Sequence, residues 1–362
     1  MCGQTIPVLM KITALAALSS VASFQTNQLL ISSFTELNHA IDLGDSVISI
    51  PAAEIVFPHE LNVRGGATVA IEGSTASGTR LSGNNSSRLF VVDEHSSLSM
   101  SRVTLDHGRC SGCHGGAVVV GSGSKLWLSS VRISGNRARN GGAIYALSSS
   151  VVAATQCTLT ANSASLGGAI FAEGNSIVNV LGGTMSLNSA RDGGAVRVGE
   201  NASFMATNCV MHSNAGGIGG AVAARDDAVV VIAGARVFSN QADLGGAIFL
   251  DARATVVLHS CAMFSNVATT FGGVVYCIHD STVSATNCSF TSNSAHDGGG
   301  AVYAGGEVRV GSVYAGGGAL GAVYAGGAVY STNCTMASNT GYWGGAMYGD
   351  GESSPTTLIP TT

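Results

Sequence analysis

Charge is scarce in this chain. Only 10% of its 362 residues are Asp, Glu, Lys or Arg, against roughly 25% in an average soluble domain. The net charge is −5 and no Lys/Arg cluster occurs, so the electrostatic footprint of a nucleic-acid binder is missing. Beyond the N-terminus no stretch reaches about 18 uninterrupted apolar residues, so no transmembrane segment is expected in the mature chain. The 3.6-residue apolar period of amphipathic helices is lacking too, which disfavours a helical solenoid. No Ser-His-Asp or Cys-His-Asn arrangement is discernible, and no phosphate-binding glycine loop.

Glycine is what the chain has in excess, 50 residues of it. Nine in-register Gly-Gly pairs begin at Gly115, Gly141, Gly167, Gly193, Gly219, Gly245, Gly272, Gly299 and Gly344, with successive spacings of 26, 26, 26, 26, 26, 27, 27 and 45. An Asn follows an apolar residue by three positions in phase with them, at Asn136, Asn162, Asn188, Asn214, Asn240, Asn266, Asn293 and Asn339. A fixed period of this size signals a stacked repeat.

Counting from the first Gly of each pair, apolar residues recur at offsets +3, +5, +11, +13, +16 and +18. In the repeat at Gly245 these are Ile248, Leu250, Val256, Leu258, Cys261 and Met263. Each pair is two apart, the side-chain period of a β-strand. Three short strands per repeat predict an all-β chain, a parallel β-helix of about ten to eleven coils of 26–27 residues. The +4 residues Tyr145, Phe249 and Tyr276 should then face outward, and the Asn residues should form a structural ladder along the rod. The register continues upstream without glycines, through Phe90, Val92, Leu98 and Met100, then Leu61, Val63, Val69 and Ile71.

The domain reading follows. Residues 1–22 read as a signal peptide, with Lys11 before an apolar run and Ser20-Val21-Ala22 as a small-residue cleavage site. Residues 23–57 form an N-terminal cap, in which Ser33-Phe34-Thr35-Glu36 is a capping box opening a short helix. Residues 58–348 are the repeat domain, and 349–362 a polar tail. Within the repeat domain, 301–330 is a low-complexity irregularity that reads as a local duplication, or as an error in the sequence.

Two places hold candidate chemistry. Cys110-Ser111-Gly112-Cys113-His114 matches the covalent haem-attachment pattern. It lies in a turn that has gained two residues, a context that favours a loop-closing Cys110–Cys113 disulfide; zinc would need ligands beyond His107. Cys157, Cys209, Cys261, Cys288 and Cys334 share one inward column and read as buried thiols. The second place is the corner between strands one and two, where Asp226, Asp227, Asp251 and Asp280 are interleaved with Arg225, Arg253 and His279. Neighbouring coils bring such carboxylates within about 5 Å, where they could act as acid and base or share a Ca²⁺ ion. Asp is also a common turn residue, and solvated corners explain the same column. No resident cofactor or metal is expected otherwise.

The paired signatures, such as Gly299-Gly300-Ala301-Val302 with Phe290-Thr291-Ser292-Asn293, resemble the repeats of chlamydial polymorphic outer-membrane proteins and of large β-helix surface proteins of bacteria, algae and other protists. The resemblance covers Gly115 to Met347 and implies a right-handed, pectin-lyase-like β-helix with an extracellular adhesive role. Two departures stand out: the apolar residue is usually not Phe, and a polar tail from Gly351 to Thr362 replaces a membrane β-barrel. Lyases and galacturonases share that superfamily fold, but their Asp-bearing triplets are missing; His296-Asp297-Gly298 is the nearest echo. The expectation is a secreted or cell-surface protein with a structural, adhesive or glycan-binding role and a polysaccharide or cell-surface partner. The alternative is a carbohydrate-active enzyme using the acidic corner.

Overall fold

Period-two strands that bury alternate residues need a neighbour on each side, and a 26-residue repeat supplies one by stacking on itself. The computed structural model describes residues 29–44, 47–75, 78–305, 308–310, 313–314, 328–342 and 347–349. Each coil pairs in parallel with the next at a constant register: Val118 lies beside Ile144, then Ile170, Val196, Val222, Ile248, Val275 and Val302. The result is a parallel β-helix of about ten turns. Its first strands form an eleven-stranded sheet, and the second and third strands of each coil share a 23-stranded sheet. The segment read as a signal peptide, the polar tail beyond Gly349 and much of 301–330 lie outside the described residues.

The six inward offsets fill one continuous core. Ile248, Leu250, Val256, Leu258, Cys261 and Met263 are all 2% exposed or less, each contributing roughly 1.5–3 kcal/mol by burial. One short helix, α1 (Phe34–Asp42), covers the core near the N-terminus. Its Ser33 side chain accepts from Glu36 N–H, and Glu36 reaches back to the Ser33 N–H. Leu37, Ala40 and Ile41 turn inward, and the Phe34 ring meets Phe57 edge-on at 5.3 Å.

The glycine pair serves two separate needs. Gly167 takes φ +61°, the left-handed region that L-residues avoid, whereas a Cβ on Gly168 would lie 2.0 Å from the Gly194 carbonyl oxygen of the next coil. The first glycine turns the chain; the second lets coils close to stacking distance.

The Asn residues stack in one buried column. The backbone N–H of Asn188 donates to Asn214 Oδ1 at 3.1 Å, and Asn188 Nδ2 donates to the same oxygen at 3.0 Å and to Leu159 O at 3.0 Å. The pattern repeats from Asn136 through Asn162, Asn214, Asn240, Asn266 and Asn293 to Asn339. Each amide thereby satisfies backbone groups at a turn that no regular strand could serve.

Two features differ from the sequence expectation. A fourth column of short strands precedes the glycine pairs, as in Ser189–Asp192, Ala215–Ile218 and Gln241–Leu244. It buries little more than one small residue per coil, such as Ala190 or Ala242, too little for a visible period. Secondly, Tyr145 and Phe249 face away from the core yet are only 7% and 3% exposed, and Tyr276 is half-buried. Residues before two of the glycine pairs lie against them: His114 stacks on Tyr145 at 4.6 Å and Phe271 on Tyr276 at 6.3 Å, while Phe249 stacks on Tyr276 at 5.6 Å.

Six cysteines are buried free thiols. Burial pushes Cys157 and Cys209 up to about 11 and Cys277 to about 12. Their folded pKa values exceed the unfolded value of 9.0, so the stability they confer is complete below about pH 9 and is lost as pH rises through about 11. Melting temperatures should therefore fall between pH 9 and 11, and iodoacetamide at pH 8 should leave these three thiols unmodified until the protein unfolds.

Candidate functional site

The corner after strand one requires two consecutive left-handed residues. Asp226 and Asp227 take φ 56° and 60°, Ala252 and Arg253 50° and 64°, and His279 and Asp280 48° and 59°. Asp and Asn tolerate this region better than most residues, which accounts for much of the acidic column. Backbone bonds link the turns: Asp227 N–H donates to Ala252 O at 3.1 Å, and Arg253 N–H to His279 O at 3.0 Å.

The side chains then divide into two groups. On the outer edge the Arg253 guanidinium forks onto Asp227, with Nε 2.9 Å from Oδ1 and Nη2 2.6 Å from Oδ2. That contact holds the Asp227 carboxyl below its usual range. Asp226 and Asp280 are exposed on the same edge. The other group turns toward the outer face of the eleven-stranded sheet. Asp251 Oδ1 accepts from Ala252 N–H at 2.8 Å and lies 2.6 Å from His279 Nδ1. Arg225 Nε is 3.8 Å from Asp251 Oδ2, and the Arg225 guanidinium lies 5.0 Å over the Phe249 ring.

Two residues absent from the sequence reading complete this second group. Arg197, in the outward column otherwise held by Tyr145, Phe171, Ala223 and Phe249, is 7% exposed and lies 3.3 Å from Asp192. Asp192 in turn is 3.8 Å from Arg225. Burial lowers the Arg197 pKa, opposed by the Asp192 charge. Asp192 Oδ1, Arg197 Nε and Arg225 Nε have no hydrogen-bond partner. A charged residue in an aromatic column was the available signal for Arg197. Asp192 gave none, because its contact depends on the fourth strand folding back.

The arrangement is thus a strip in which Arg197 and Arg225 both approach Asp192, and Arg225 and His279 both approach Asp251, running beside aromatic faces. It brings Arg225 and His279 to Asp251, and leaves Asp227 to Arg253. Among the described residues no three His, Cys, Asp or Glu side chains are grouped to hold a metal ion. His296 pairs with Asp297 at 2.6 Å in an exposed turn, remote in sequence from this strip. Cys110 and Cys113 form a disulfide with a Cα–Cα distance of 5.3 Å.

Residues 130–147 and 287–305 match the Chlamydia polymorphic membrane protein repeat. Each match spans a third strand, the Asn turn and the following Gly-Gly-Ala strand, or most of that unit. No curated protein matches the chain. The protein is a parallel β-helix whose repeats are similar to those of the Chlamydia polymorphic membrane proteins.

Proposed function

We propose that the chain is a secreted or surface-displayed β-helix rod with a structural or adhesive role, engaging polysaccharide along the Asp192–His279 strip. The similarity of its repeats to those of polymorphic membrane proteins supports surface association. No helix among the described residues is long and apolar enough to cross a membrane.

The observation that carries the binding role is that carboxylates in the strip and on the edge beside it are already engaged by neighbouring side chains. Asp227 is forked by Arg253, and Asp251 is held between His279 and Arg225. Hydrolysis of a glycosidic bond asks for two carboxyl groups of different protonation facing one substrate. Guanidinium and carboxylate groups beside aromatic faces instead suit a hydroxyl-rich chain held in place. The Asp251–His279 contact favours the second reading, a carbohydrate-active enzyme working on coils 193–280, which the same protein samples test. No cofactor is needed for binding; calcium would act only by bridging the outer-edge carboxylates.

Glycan-array binding checks the proposal. Arg225→Met keeps an unbranched apolar stem at this position and removes the guanidinium that lies over Phe249, and should weaken binding about tenfold, or 1.4 kcal/mol. Unchanged melting on calcium titration of wild type and of Asp227→Asn/Asp251→Asn is expected. Equal binding by wild type and Arg225→Met, or by neither, would overturn the assignment of the strip.

A further inference from the structure

The disulfide loop has a chemical setting that a merely structural bridge does not need. Arg109 pairs with Arg137 and His114 with Asn140, so the four residues from Cys110 to Cys113 stand where the next coil has two. The two-residue insertion is therefore the disulfide loop itself. Its sulfurs are unequally placed: Cys113 is exposed, whereas Cys110 is 5% exposed. Against both lies one guanidinium. Arg88 Nη2 is 3.0 Å from Cys110 Sγ and 3.1 Å from Cys113 Sγ. Arg88 is anchored by Nε donating to Gly115 O at 3.0 Å and by Nη1 at 3.1 Å from Glu60. Its side chain is only 12% exposed, and burial lowers its pKa. An open cavity of about 430 Å³ reaches this loop, lined by His59, Glu60, Arg109 and Ser111 among others.

A neutral disulfide is a weak acceptor and gives a buried cation little in return. A thiolate at the same place would be a strong, charge-assisted partner. We propose that Cys110–Cys113 is a thiol–disulfide exchange site for low-molecular-weight thiols, in which Arg88 holds the departing thiolate. An external thiolate attacks the exposed Cys113 sulfur from the cavity. The new S–S bond forms as the Cys110–Cys113 bond breaks, and the electron pair leaves on Cys110 Sγ against Arg88. A second thiol displaces Cys113, so two thiols become one external disulfide and their two protons and two electrons pass to the dithiol. The reverse direction reduces an external disulfide to two thiols and re-forms the Cys110–Cys113 bond at the expense of this dithiol. Opposite charges at the cavity wall, from Glu60 and Arg109, suit a zwitterionic thiol. The six buried cysteines take no part, since no sulfur among them faces this cavity.

The test uses the full chain and glutathione as probe, with acid quenching, alkylation and peptide mapping. In the native protein the Cys110–Cys113 bond should open, with glutathione trapped on Cys113. Arg88→Met should slow opening at least tenfold, because the leaving thiolate loses its counter-charge. Glu60→Gln, a change at a side chain 40% exposed, should speed it severalfold by freeing the guanidinium. Where Arg88→Met does not fold, Arg88→Lys and Glu60→Gln decide. Equal rates in wild type and variants, glutathione on Cys110, or a bond that opens only in the unfolded chain would each overturn the proposal.

Discussion

Replacing Asn214 by alanine should lower the unfolding free energy by roughly 3–5 kcal/mol. The amide is wholly buried at 1% exposure and serves both neighbours. Its Oδ1 accepts from the backbone N–H and from Nδ2 of Asn188. Its Nδ2 donates to Met185 O at 3.0 Å and to Asn240 Oδ1 at 2.9 Å. Alanine leaves two donors and two acceptors without these partners, inside a core that water does not reach, at about 1–3 kcal/mol for each group left unsatisfied. Neighbour relaxation recovers part, which sets the range. Asn214→Asp should also destabilise, because a carboxylate cannot donate to Met185 O. Urea unfolding of both variants checks the claim; a change below 1 kcal/mol would remove the ladder as a source of stability.

Gly194→Ala should cost at least as much, and for a steric reason. Its Cβ would lie 2.1 Å from the Gly220 carbonyl oxygen and 2.7 Å from the Ala215 carbonyl, both backbone atoms of the adjoining coil. No rotamer relieves that contact, so two coils must separate and break the strand pairing between them. A loss of about 4 kcal/mol or more is expected. Gly66→Ala is the control: φ is +75° and nothing lies within 4 Å of the added Cβ, so only the left-handed cost of about 1–2 kcal/mol applies. Equal melting shifts for the two variants would contradict the close-approach argument.

The fold was legible because stacking copies sequence into space. Val118, Ile144 and Ile170 recur at the same offset and therefore lie side by side, and the capping box at Ser33–Glu36 is a local signal needing no tertiary context. The acidic column was legible as a column, but its division was not. Offsets give Asp227 and Asp251 nearly the same place, yet one lies on the two-residue left-handed turn and the other just before it. That difference of two positions sends Asp227 to the edge and Asp251 toward the sheet face. Asp192 and Arg197 escaped notice because their contact needs the fourth strand, which carries almost no periodic signal. The burial of Tyr145 escaped for the same reason, since His114 covers it only after that fold-back.

The proposed role requires that this rod bind polysaccharide without cutting it. The most direct measurement is migration of the wild-type protein through polysaccharide-containing native gels, neutral and polyuronate, with the gel strips then assayed for new reducing ends and unsaturated uronates. Binding without cleavage gives retarded migration in at least one polysaccharide, relief of that retardation in Arg225→Met, and no product above the protein-free blank. Product release that disappears in Asp251→Asn would contradict it and make the strip an active site.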